Sequence, residues 1–347
     1  MNPLGTIYGA AARARRRWYA GRPAARRRLA RPVISVGNLA VGGSGKTPAV
    51  EQVARLLLAE GERPAILSRG YGRRVAASEP TIVSDGQRLM ADLDRAGDEP
   101  LMLARALPGA AVVVAPARYD AGTLAETRLG CTVHLLDDGF QHLQLERDVN
   151  LLLMATGDLE DRMLPAGRLR EPLSAASAAD AVIVTGADAS RAEAVARQLG
   201  VTPVFRTVVR IGAPRMVQPY GEPAAIAPGT PVFGLAGIAR PERFFAAALG
   251  AGWRITGEQR MRDHHRYTRR DVERIVAAAR RAGAAAVLTT AKDAVRLEAF
   301  APFPLPFCWL PMEVAIEPAQ AFREWLLARL AAARAGRAEA APGDGRP

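Results

Sequence analysis

The chain has 347 residues, 49% apolar and 24% charged, a globular composition too long for one small core and suited to one or two domains. No run approaches the roughly 18 apolar residues that a membrane-crossing helix needs. The two cysteines, Cys131 and Cys308, lie far apart beside apolar strand-like residues, which argues for buried thiols in a reducing compartment rather than a disulfide framework.

The formal charge is +12, and it is unevenly placed. Residues 1–31 hold nine arginines (Arg13, Arg15, Arg16, Arg17, Arg22, Arg26, Arg27, Arg28, Arg31) and no acid, leaving +3 for the rest. Leu4, Ile7 and Tyr8 precede the basic run, the reverse of a secretory signal, in which positive charge comes first. Three readings compete: a solvated tail, a nucleic-acid clamp using Trp18 and Tyr19, and docking on an anionic membrane surface. Each basic residue near such a surface contributes on the order of 1 kcal/mol, and apolar anchors add to it. No nucleic-acid fold motif accompanies the arginines, so membrane docking is preferred and nucleic acid is not an expected partner. The active-site motifs begin only after this arm, so it is expected to deliver the protein to lipid and contribute little to chemistry.

An apolar run from Pro32 to Val36 predicts the first strand, and Val50, Val53, Ala54, Leu57 and Leu58 predict an amphipathic helix. Between them lies Gly42-Gly43-Ser44-Gly45-Lys46-Thr47, which in this strand–loop–helix setting reads as a phosphate-binding loop. Backbone N–H groups from Ala40 and Val41 through Thr47 would face the phosphates, with the helix N-terminus adding positive charge. Lys46 would reach the outer phosphates and the Thr47 hydroxyl would ligate Mg²⁺. Ala40 stands where the common pattern has its first glycine.

Pro64 to Ser68 predicts a second strand, ending in Arg69-Gly70-Tyr71-Gly72-Arg73, a binding loop or a plain turn. Thr81 to Val83 is a short strand. Asp98-Glu99-Pro100 opens a helix to about Leu107, with acids where the helix dipole favours them. Strand Ala111–Val114, helix Arg118–Leu129 and strand Cys131–Leu136 follow. The last ends in Asp137-Asp138-Gly139-Phe140-Gln141-His142, where a carboxylate can hold Mg²⁺ opposite Thr47. Val149 to Met154 and Ala181 to Val184 are further strands. Alternating strands and helices predict an α/β fold, a mainly parallel sheet covered on both faces, with ligands beyond the carboxyl strand ends. Each polar cluster falls at such an end.

From about residue 203 a second unit is expected: strand and loop Pro231–Ile238, helix Pro241–Leu249, helix Arg270–Arg281 capped by Thr268, and strand Ala285–Leu288. A last helix runs from about Pro318 to Ala333. The division expected is a basic arm (1–31), a phosphate-loop core (32–205), a smaller α/β domain closing the cleft (206–335) and a disordered tail (336–347). A kinase must deprotonate a hydroxyl, so it wants a carboxylate or a His–carboxylate pair facing the γ-phosphate. Asp98 and His264 are the candidates, against their plainer readings as a helix-capping acid and a surface loop histidine.

In this order and wording the motifs resemble the tetraacyldisaccharide 4′-kinases, the LpxK family of the lipid A pathway. The resemblance rests on Val36-Gly37-Asn38-Leu39 with Val41 to Pro48, Ser68 to Arg73, Gly97-Asp98-Glu99-Pro100 and Asp137 to His142. It continues through Leu164-Pro165-Ala166-Gly167-Arg168-Leu169-Arg170-Glu171-Pro172, Asp263-His264-His265 and Thr290 to Val295. It implies two α/β/α domains around a cleft, with ATP and Mg²⁺ as cofactors. The reaction implied is transfer of the γ-phosphate to the 4′-hydroxyl of an acylated glucosamine disaccharide 1-phosphate. The enzyme would sit on the cytoplasmic face of the inner membrane, peripheral or monotopic, without a transmembrane helix. Carried over by motif, Lys46 and Thr47 handle phosphate and metal, Asp137 and Asp138 serve Mg²⁺, and Asp98 with His264 forms the base dyad. Tyr71, Glu99, Gln141, His142, Arg170 and Glu171 would line the cleft. Ala291 stands where the family often has Glu, and the arm is shorter and richer in arginine than the family's hydrophobic segment. The alternative is a switch-type ATPase of the partitioning or metal-insertion kind. Those proteins carry a lysine before the two glycines, where this chain has Val41.

Overall fold

The computed structural model describes residues 3–42, 45–75 and 79–340. Gly43 and Ser44 of the expected phosphate loop, and residues 341–347 of the expected tail, lie outside the described residues. Residues 336–340, expected to be disordered, continue the last helix.

The chain opens with helix α1 (Pro3–Ala20), then strand β1 (Val33–Asn38), α2 (Lys46–Ala59), β2 (Pro64–Ser68) and β3 (Thr81–Asp85). The short α3 (Leu93–Ala96) runs into α4 (Asp98–Ala106), followed by β4 (Ala111–Val114), α5 (Arg118–Leu129), β5 (Val133–Asp137) and β6 (Val149–Ala155). Next come β7 (Ala181–Thr185), α6 (Ala189–Leu199), β8 (Val204–Ile211), β9 (Arg215–Met216), β10 (Pro231–Ala236), α7 (Pro241–Gly250) and β11 (Arg254–Arg260). The chain closes with α8 (Arg269–Arg281), β12 (Ala286–Thr289), α9 (Ala291–Leu297), β13 (Phe307–Trp309), β14 (Met312–Glu317) and α10 (Ala319–Ala340).

The larger sheet has nine strands in the order β14-β8-β7-β6-β1-β5-β2-β4-β3. Pairing is parallel from β8 to β4, and both edge strands run antiparallel to their neighbours. Burial on both faces explains the near-continuous apolar strands. Ile34, Val36, Leu135, Leu151 and Leu153 pack under α2, α4 and α10. Val33 and Leu136 face Ala121 and Ala125 of α5, while Leu152 and Val182 face Ala192 and Val195 of α6. Strand β1 sits in the middle, so the loop leaving it opens at the centre of the carboxyl edge.

The smaller sheet, β11-β10-β12-β13-β9, has α8 against one face and α7 against the other. Its elements lie between Arg215 and Trp309. The chain leaves the larger sheet at β8 and returns at β14, which pairs with β8 along its length. Strand β8 spans the expected boundary at 205/206, and β14 and α10, expected in the smaller unit, pack on the larger one. Their non-local pairing placed them there. The Thr268 cap is present: its hydroxyl accepts from Asp271 N–H and the Asp271 carboxylate accepts from Thr268 N–H.

Candidate active site

Strand β1 ends in Asn38, whose buried side chain and carbonyl organise the phosphate side. Its Oδ1 accepts from Lys46 Nζ at 3.1 Å and from Arg170 at 2.5 Å, and its carbonyl accepts from Gln141 Nε2 at 2.9 Å. Gly45 precedes α2 with φ +81°, a backbone that disfavours any side chain, and it aims the first helical N–H groups, Lys46 and Thr47, outward. Ala40 takes the former glycine position without needing a positive φ. Its side chain packs with Leu39, Phe140 and Leu169, while Val41 N–H donates to the Arg168 carbonyl. The segment around Arg168–Arg170 is thereby stitched to the loop.

At the end of β5 the paired aspartates differ sharply. Asp138 has φ +54° and accepts two bonds from Arg170, at 2.7 and 2.9 Å, with Lys46 at 3.6 Å. Burial raises its pKa, but the Arg170 bonds and the Lys46 charge outweigh burial and hold the carboxyl below its usual range. Asp137 is 5% exposed, and no side chain among the described residues donates to it. Burial, with Glu99 and Asp138 nearby, pushes it up to about 7 against the opposing charges of Lys46 and Arg118. It is a buried carboxylate short of positive charge, and a divalent cation fits that environment. Mg²⁺ takes only one or two protein oxygens and keeps several waters, so Asp137, Asp138 and Thr47 are donors enough.

The second cluster gathers at the start of α4. Gly97, φ +86°, sits where a Cβ would lie 2.7 Å from the Tyr71 carbonyl, so the loop after β2 closes onto the helix start. Asp98 is 6% exposed and its Oδ2 lies 2.9 Å from His264 Nδ1, across to the smaller sheet. Arg296 Nε stands 3.2 Å from the same oxygen. Burial raises the Asp98 pKa, yet the His264 bond and the Lys292 and Arg296 charges together depress it. The Tyr71 ring meets His264 edge-on, with centroids 5.3 Å apart. Asp137 feels the charges of both Glu99 and Lys46.

The remaining expected residues lie on the arm side. Gln141 donates to Glu171 at 3.2 Å, and Glu171 is held by Arg16 at 2.6 Å. His142 is half-buried among Arg118, Arg147, Arg15 and Arg69; burial and those charges push it down to about 4, so its ring is neutral. Arg16 also donates to the Phe140 carbonyl and lies over its ring, and Arg15 donates to the Gln141 carbonyl. Helix α1 thus touches residues that the sequence reading placed along the cleft. Sequence reading gave no role to Asn38, Arg118, Lys292 or Arg296. Asn38 had a signal, a polar residue ending an apolar strand inside the loop motif, and Lys292 stood in the Thr290–Val295 motif with no role attached.

The sequence pattern of the tetraacyldisaccharide-1-P 4′-kinase (LpxK) family matches residues 1–331. The chain belongs to the LpxK family. Tetraacyldisaccharide 4′-kinases of Geobacter metallireducens and Geobacter sulfurreducens are 46% and 43% identical to it. The alignments cover 78% and 84% of this chain and 80% and 82% of theirs. Among solved structures, LpxK from Aquifex aeolicus, described as an "apo" form in complex with ATP, superposes with a TM-score of 0.77 at 31% identity. It covers 94% of this chain and 98% of that one. This LpxK-family chain is thus a phosphotransferase, and the switch-type ATPase reading falls away. Among its described residues no helix is long and apolar enough to cross a membrane.

Proposed function

We propose that this kinase transfers the γ-phosphate of ATP to the 4′-hydroxyl of a tetraacylated glucosamine disaccharide 1-phosphate, at an anionic, cytosol-facing membrane surface. The observation that carries the reading is the Asp98–His264 pair, joined at 2.9 Å beside the loop that leaves β2. Lys46 neutralises charge on the outer phosphates, with Arg170 anchoring the carboxylate beside it. Thr47, Asp137 and Asp138 would hold Mg²⁺, which would supply positive charge to offset that of the phosphates. Asp98 accepts the 4′-hydroxyl proton as that oxygen bonds to phosphorus and the bond to the β-phosphate oxygen breaks. His264 and Tyr71 shape the wall where the hydroxyl sits, and Gln141, His142, Arg170 and Glu171 line the sugar side.

The test is transfer of labelled γ-phosphate to the detergent-dispersed lipid disaccharide, with the new monoester located by mass spectrometry. Transfer to the 4′ position is expected, and Lys46→Ala should abolish it with the fold intact, because the developing charge needs the ammonium and the sheet does not. ATP hydrolysis without lipid phosphorylation would refute the proposal.

A further inference from the structure

We infer that the loop before α8 and the outer face of α8 form a second docking surface for an anionic bilayer, which seats the smaller body on the membrane beside α1. The inference rests on the lipid-kinase reading above. Residues 215–309, which build the smaller sheet and its helices, carry fourteen Lys and Arg against eight Asp and Glu. That unit is +6, so the chain outside it and outside the arm is −3. The excess gathers between β11 and the end of α8. Arg262, Arg266, Arg269 and Arg270 are all exposed, in or beside the loop that carries His264. On the outer side of α8, Arg270, Arg274 and Arg281 recur at helical spacing. Arg269 and Arg280 stand beside them, with Glu273 as the one acid on that side.

Three features set this surface apart from an ordinary solvated face. First, its cations lack acids: among the described residues Arg262, Arg269 and Arg270 have no carboxylate partner. The nearby acids are engaged elsewhere, Asp263 by Lys292, Asp271 by His265, Thr268 and Arg274, and Glu258 by Arg260. Second, Arg269 and Arg270 occupy the first turn of α8, where the helix dipole disfavours cations. An anionic surface beside them relieves that repulsion. Third, these cations continue those of the arm around the mouth of the cleft. Arg266 donates to the Gly72 carbonyl at 3.3 Å, in the loop that also holds Arg69. The charges of Arg69 and of Arg15 on α1 both act on His142. A lipid acceptor enters the cleft from its bilayer, which brings the cleft mouth and the cations around it against the headgroups. No large apolar side chain between Met261 and Arg281 is exposed, so this contact is one of charge alone, whereas α1 adds Leu4 and Ile7.

The test is co-sedimentation of the full chain with vesicles of phosphatidylcholine, alone or mixed with phosphatidylglycerol. Arg262→Gln, Arg269→Gln and Arg270→Gln together remove three charges and leave the Thr268 cap in place. On mixed vesicles this triple variant should bind about 10- to 100-fold more weakly than wild type, since each basic residue near such a surface contributes. On phosphatidylcholine alone the two should bind equally, and their kcat in detergent should agree. Binding of wild type should fall more steeply with salt than that of the variant. A fluorophore on Ala277→Cys, at the outer side of α8, reads the contact directly, because Cys131 and Cys308 are both buried. Lipids spin-labelled at the headgroup should quench it in mixed vesicles. Undiminished binding of the triple variant to mixed vesicles overturns the inference, as does a fluorophore that stays unquenched while the protein is bound. Tighter binding of wild type to duplex DNA than to mixed vesicles at equal salt overturns it too, and makes the face a nucleic-acid clamp. If wild type docks as described but transfers no phosphate to the lipid disaccharide, the proposed function fails and the docking surface stands.

Discussion

Among the described residues, two non-glycine positions have positive φ, and they are Asp138 and His264. Asp and His tolerate the left-handed region better than most residues, yet each still holds its backbone at some expense, which the surrounding bonds must offset. Arg170 and Lys46 do so for Asp138, and Asp98 and Lys292 for His264. Asp98→Ala and His264→Ala should each lower kcat by about 10² to 10⁴. Acting as one unit, their double variant should be scarcely slower than the slower single variant; multiplied losses in steady-state kinetics would show independent roles. His142 carries a pH consequence. Its folded value is near 4 and its ordinary value 6.5, so between those limits the unfolded chain binds a proton that the folded chain refuses. Stability should therefore fall as pH drops from about 6.5 to about 4. Urea unfolding across that window should show a shallower loss in His142→Asn.

Helix α1 shows how one element can serve two surfaces. Gly5, Gly9, Ala12, Arg16 and Tyr19 turn inward at helical spacing, and the two glycines face Met163. Leu4 and Ile7 are 61% and 65% exposed on the outer side, with Tyr8 and Trp18 also outward. The two faces should separate by mutation. Arg16→Ala, which releases Glu171, should reduce turnover on detergent-dispersed lipid while leaving vesicle co-sedimentation intact. Leu4→Ser with Ile7→Ser should do the reverse. High salt should wash the wild-type protein only partly from anionic vesicles, since charge attraction is screened over roughly 8 Å while apolar anchors are not. The composition of residues 1–31 made the basic surface legible, but not the docked helix, because its inward stripe is built from glycine and arginine instead of large apolar residues. In contrast α2 and α8 announced themselves, one through apolar spacing behind Gly-Lys-Thr and the other through the Thr268 cap.

The nine-stranded sheet was readable where strand and helix alternate, and its ligand edge followed from topology. What escaped is the pairing of β8 with β14, whose partners are separated by the whole smaller sheet; no local pattern encodes such a register. Asp98 and His264 were both singled out, each by its own motif, though they lie in different layers. Lys292 stood inside the Thr290–Val295 motif without a role, because its approach to Glu99 and Asp98 is made only by the tertiary fold.

The β8–β14 pairing carries one more consequence. Both passages between the two sheets run side by side, with Gly212 N–H donating to the Pro311 carbonyl at 2.9 Å. The smaller body is held a second time by α9, whose Val295 packs into the core of the larger sheet. His264 and Lys292 belong to the smaller body, whereas Lys46, Asp98 and the aspartates of β5 belong to the larger. Charged pairs cross the seam between them, Lys292 with Glu99 and Arg105 with Glu298. The distance between Asp98 and His264 therefore depends on two attachments far apart in sequence, a strand pair at one and a packed helix at the other.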